Sequence, residues 1–167
     1  MRIDRIIYGE TSSDFATDLN NLALLYCETG NFYKAESLLK EVKKIRKNTL
    51  GEKDPSYAST LNDLGLLYDE MGRYEEAEKL YKESIKLTKE VLGTKNEYYA
   101  QYLNSLAALY NRSNRESEAK KLFYECLDIV KSLYGESSPY LAFTLNNIAW
   151  FYKSIGNYTE SEKLYLQ

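Results

Sequence analysis

Few side chains in this sequence are able to do chemistry, and most bond-breaking chemistry is closed to them. Histidine is absent, which removes the commonest general base, the commonest metal ligand and every nucleophilic triad built on an imidazole. The two cysteines, Cys27 and Cys126, stand 99 residues apart with no CxxC spacing. They read as free thiols of a reducing compartment. No GxxxxGKS/T phosphate loop occurs. Glu75, Glu76 and Glu78 stand beside lysines at helical spacing, which is ordinary solvated decoration. The expectation is a protein with no enzymatic activity, cofactor or metal. What remains is recognition chemistry. Four asparagines, Asn20, Asn62, Asn104 and Asn146, carry amides that donate and accept, and Trp150 is the only tryptophan.

These residues recur in one frame. Trp150 lies in LNNIAWFY (145–152), which has relatives LNNLALLY (19–26), LNDLGLLY (61–68) and LNSLAALY (103–110), each 42 residues from the next. The same step joins Ala16, Ala58, Ala100 and Ala142, then Gly9, Gly51, Gly93 and Gly135, and the turn set Gly30, Gly72, Asn114 and Gly156. Several columns in one register are the signature of internal repeats.

Each repeat reads as two helices. Ser12, Asp54, Asn96 and Ser138 are N-cap residues in register, and Pro55 and Pro139 occupy the first helical position, where the missing N–H costs nothing. In the first helix Leu145, Ile148, Ala149 and Tyr152 form the core face at i, i+3, i+4 and i+7. Small Ala23, Gly65, Ala107 and Ala149 admit the neighbouring helix. The second helix starts near Phe32, Tyr74 and Tyr158. Its inward face carries Ala35, Leu39, Val42 and Ile45, matched by Ala77, Tyr81, Ser84 and Leu87. Neither stripe can be buried alone, so the pairs must stack into an all-α array.

Composition agrees. With 44% apolar residues in 167, one domain can build a core, and a net charge of −3 gives no electrostatic case for nucleic acid or an acidic membrane. There are 17 tyrosines and only two prolines, the latter suiting uninterrupted helices. The start, MRIDRIIYGE, has no apolar leader and no segment is apolar enough to span a bilayer. The sequons at Asn111 and Asn157 therefore carry little weight, and a cytoplasmic location is expected.

The chain resembles the tetratricopeptide repeat family. The resemblance rests on L-G/A-x-x-Y in the first helix, G-x-Y at the turn and A-E-x-L-Y/F in the second helix, over nearly the whole chain. The usual period is 34 residues. The 42-residue form, with LNNLA, GRYEEAE and the Gly51–Pro55 and Gly135–Pro139 spacers, is similar to the kinesin-light-chain type. The resemblance implies a right-handed superhelical solenoid of antiparallel helix pairs, residues 1–167. Residues 1–10 would be the tail of a preceding repeat, followed by repeats at 12–53, 54–95 and 96–137 and a shortened repeat at 138–167. Residues 1–8 align with 43–50 and Gln167 with Glu83, so a segment of a longer array is expected. Part of the Leu145, Ile148 and Tyr152 face would then be uncovered and open to self-association.

The family places ligand contacts on one stripe of the first helices. Here that stripe holds Thr17, Asn20, Leu24 and Cys27, then Ser59, Asn62, Leu66 and Asp69, then Gln101, Asn104, Ala108 and Asn111, then Phe143, Asn146, Trp150 and Lys153. The asparagines suit a peptide backbone; alternatively each bridges to the adjacent repeat. The column after them changes from Leu24 and Leu66 to Ala108 and Trp150, which suits partner choice. Trp150 reads as a groove anchor, with packing against Phe143 as the alternative. Glu28, Asp69 and Glu70 place acid in the first repeats, and Arg112 and Lys153 place base in the last two, which suits a segment of opposite polarity; the alternative is solvated rim charge. The Lys/Asn carboxylate clamp of the family's co-chaperones is absent. The run KEVKKIRK at 40–47 reads as a solvated outer face around Val42 and Ile45. The expected function is a non-catalytic protein-interaction scaffold that binds a peptide in its concave groove. The alternative is a regulatory arm of a larger enzyme or signalling protein.

Overall fold

The computed structural model describes residues 12–166. Among these are eight α-helices and no strand: α1 (Ser13–Glu28), α2 (Phe32–Thr49), α3 (Pro55–Glu70), α4 (Tyr74–Leu92), α5 (Glu97–Arg112), α6 (Glu116–Tyr134), α7 (Pro139–Ser154) and α8 (Tyr158–Tyr165). The expectations that fall on residues 1–10 lie outside the described residues. No described helix is long and apolar enough to cross a membrane.

Helix boundaries follow local chemistry. The side chains of Ser12, Asp54, Asn96 and Ser138 each accept a first-turn backbone N–H, from Phe15, Ser56, Tyr99 and Leu141, satisfying donors the helix leaves orphaned. First helices end on a left-handed residue. Glycine supplies it in three repeats, and Asn114 holds φ 56° in its place, a conformation that asparagine tolerates better than other residues with a Cβ.

The chain divides into two compact units, Met1–Leu87 and Thr88–Gln167. In the first, Phe15, Ala16 and Leu19 of α1 close over Val42 and Ile45 of α2. Gly65 of α3 lies against the ring of Tyr81 on α4, where a Cβ would come within 2.7 Å of Cε1. Repeat one pairs Ala23 with Leu39 at the same two positions, and all four of these residues are buried. In the second unit Phe123 of α6 meets Phe151 of α7 at 5.7 Å between ring centres. The Ser161 hydroxyl of α8 donates to the Ala149 carbonyl at 2.9 Å.

The structure changes three expectations. Leu145, Ile148 and Tyr152 are buried, so the face expected to be partly open is covered by α6 and α8. A further column, Leu67, Leu109 and Phe151, is buried, while Leu87 is only half-buried. Lastly, Arg46 is not on a solvated face. It is buried and turns inward between α2 and α3.

Candidate functional site

Two asparagines of the column, Asn20 and Asn104, serve the contact between neighbouring repeats. Asn20 Nδ2 on α1 donates to Asp63 Oδ2 on α3 at 3.0 Å, and Asn147 Nδ2 on α7 donates to Asn104 Oδ1 on α5 at 3.0 Å. Ser154 Oγ donates to Asn111 Oδ1 at 2.9 Å in the same manner. Each bond spans 43 residues. An asparagine on one first helix thus meets the residue after the equivalent asparagine on the next. Burial raises the Asp63 carboxyl pKa, while the bond from Asn20 opposes the rise.

This geometry sorts the stripe. Asn20, Asn62 and Asp69 are buried, Asn62 to 1% exposure, and cannot lie open to a peptide in the conformation seen; Thr17, Leu24 and Leu66 remain exposed in the first unit. In the second unit Arg112, Phe143, Asn146, Trp150 and Lys153 are exposed, and Asn104 and Asn111 are half-buried. Asn146 is open because α7 is the last first helix among the described residues. Trp150 is 60% and Phe143 63% exposed, so the tryptophan is not core. The Lys153 ammonium lies 5.7 Å from the Trp150 ring centre, a cation–π contact.

A cavity of about 590 Å³ opens beside this stripe. Tyr98, Gln101 and Asn104 of α5 form one wall, Tyr140 and Phe143 of α7 the other, and Val130 of α6 lies in the floor. Tyr134 stacks on Tyr140 at 4.5 Å and 19°, and its hydroxyl donates to Glu97 Oε2 at 2.8 Å. Cys126 also lines the floor. Its thiol is pushed up to about 11, chiefly by burial, which makes it inert packing. Cys27 is likewise free. Tyr98, Tyr134 and Tyr140 went unread in the sequence. The available signal was that positions 98 and 140 are tyrosine where the first two repeats have Asp14 and Ser56.

Charged neighbours elsewhere are structural. Arg73 and Arg115 lie over the rings of Tyr68 and Tyr110 at 4.0 and 3.9 Å and grip Glu76 and Glu118. These turn clamps hold the third repeat despite Glu116 replacing an aromatic. Of the aromatics at that position, Tyr74 and Tyr158 are exposed and Phe32 is half-buried, so little burial is lost. Glu78 pairs with Lys82 at i,i+4, as its spacing predicts.

The tetratricopeptide repeat family matches residues 14–90, 70–131 and 98–167. Among curated proteins none matches the chain. The fold is similar to BtubC (BKLC) from P. vanneervenii, with TM-score 0.77 and 24% identity over 89% of this chain. The chain spans 59% of that protein's length. It is also similar to a putative kinesin light chain of nearly identical TPR-like repeats from P. anserina, with TM-score 0.73 and 21% identity, covering 98% of this chain and 77% of the other. A single-substitution form of that protein gives TM-score 0.76 at the same identity. Members of this family generally serve as protein-interaction scaffolds and are typically non-catalytic. The 42-residue register, the capped helix pairs and the family match over most of the chain lead to one conclusion: this chain belongs to the tetratricopeptide repeat family, with the fold of kinesin-light-chain-like arrays.

Proposed function

We propose that this chain is a non-catalytic scaffold that holds a peptide segment along the α5–α7 face of its second unit. The observation that carries this is the pair of exposed aromatics on one stripe of α7, Phe143 and Trp150, set beside the aromatic-walled cavity. They stand seven residues apart, roughly 10 Å along the helix axis, a span that a short extended segment covers. Large rigid side chains left in water are the anchors that binding interfaces bury. The Asn104–Asn147 bridge between them fixes the spacing of α5 and α7, so the face is preformed.

Trp150, the sole tryptophan, reports on its own environment. Peptides selected from a random display library should shift its emission to the blue on binding. Trp150→Ala should weaken them by roughly thirtyfold, the loss of an anchor of about 2 kcal/mol. The melting temperature should stay unchanged, because the ring is not core. Selected peptides that bind Trp150→Ala as tightly as the parent would overturn the reading.

A further inference from the structure

In the first unit the place equivalent to the α5–α7 cavity is occupied by the chain's own arginine. Arg46 Nη1 donates to the Ser56 carbonyl at 2.9 Å and to Thr60 Oγ1 at 2.8 Å, and Thr60 Oγ1 itself donates to the Ser56 carbonyl at 2.9 Å. Two periods on, the arginine position is Val130, and the acceptors become the Tyr140 carbonyl and Thr144 Oγ1. The acceptor pair is intact there: Thr144 Oγ1 donates to the Tyr140 carbonyl at 2.9 Å, and its other side-chain neighbour is the Cys126 thiol, a weak hydrogen-bonding group that a guanidinium outcompetes for the Thr144 lone pairs. Val130 is too short to reach them, and both Thr144 and Val130 line the open cavity.

From this juxtaposition we infer that the cavity between α5 and α7 takes the guanidinium of an arginine side chain supplied by the partner. The inference rests on the peptide-binding reading for the source of that arginine. Lining residues fit a cation. Glu97 is the one charged side chain among them. Tyr98, Tyr140 and Phe143 replace Asp14, Ser56 and Ser59 of the first unit, which turns a small polar site into an aromatic slot. A planar guanidinium stacks on such faces while its fork meets two acceptors, which an ammonium does less well. An acidic segment would meet the Glu97 carboxylate and no lining cation.

N-acetyl-arginine methylamide, titrated by NMR into the whole chain, tests this. Resonances of Val130, Tyr140 and Thr144 should move. The neutral isostere N-acetyl-citrulline methylamide should bind roughly tenfold more weakly, the size expected for charge-assisted bonds. Val130→Arg should fill the slot as Arg46 does and abolish the shifts. If that variant does not fold, Glu97→Gln on the exposed first turn of α5 serves instead, weakening the arginine amide and not the citrulline one. Equal binding of the two amides, or shifts confined to other residues, would overturn the inference. Display-selected peptides that engage Trp150 while the arginine amide does not bind would overturn it alone. Arginine-amide binding with no peptide selected would instead remove the peptide reading and leave the guanidinium slot standing.

Discussion

Gly65 and Tyr81 form a matched pair whose energetics can be worked out before measurement. A Cβ built on Gly65 would approach Tyr81 Cε1 to 2.7 Å, Cδ1 to 2.8 Å and Cζ to 3.2 Å, and the ring is fully buried, so it has little room to retreat. Gly65→Ala gains about 0.5–1 kcal/mol of helix propensity but overpacks at a cost of about 1–3 kcal/mol, a net loss of about 1 kcal/mol. Tyr81→Leu alone leaves a void beside the glycine and costs about 2 kcal/mol. The double variant recreates the Ala23–Leu39 pair of repeat one, both members of which are fully buried. The new methyl then fills part of the void and the propensity gain is kept, so the double should cost about 1 kcal/mol and the coupling should be about 2 kcal/mol. Urea unfolding of the parent, both singles and the double supplies the cycle. Additivity within about 0.5 kcal/mol, or a stabilising Gly65→Ala, would refute the claim that the tyrosine ring is what requires glycine.

Three further outcomes are expected. Asn20→Ala should cost about 1–2 kcal/mol in chemical unfolding, because it removes one donor from the half-buried Asp63 carboxylate, whereas exposed Asn146→Ala should stay within about 0.5 kcal/mol. Asp63 has its folded pKa raised above the ordinary 3.8, chiefly by burial; relative to Asp63→Asn, which mimics Asn147, the parent should therefore lose stability in thermal melts as pH rises from that value through the folded pKa. At the turns, Gly72 holds φ +73° and Asn114 φ 56°. Gly72→Ala should cost about 1–2 kcal/mol, while Asn114→Gly should be neutral or stabilising by less than about 1 kcal/mol, as read by hydrogen exchange over residues 111–117.

The helix pairs were legible in the sequence because their causes are local. Capping by Ser12, Asp54, Asn96 and Ser138, the left-handed residue after each first helix, and the spacing of apolar residues all act within a turn or two of chain, and the 42-residue register repeats them. Exposure of Trp150 was legible for a similar reason, since it falls beside the core stripe of its own helix. What each polar residue does lay beyond this reach. Asn20 and Asn104 share a column with Asn146, yet the first two meet a following first helix 43 residues away and the third meets none among the described residues. Arg46 sits in a run of surface cations, yet it alone reaches Ser56 and Thr60 across the α2–α3 packing. Whether a guanidinium fills a niche or a valine leaves one depends on which helix lies opposite, and helix periodicity holds no record of that. Only the tertiary structure decided it.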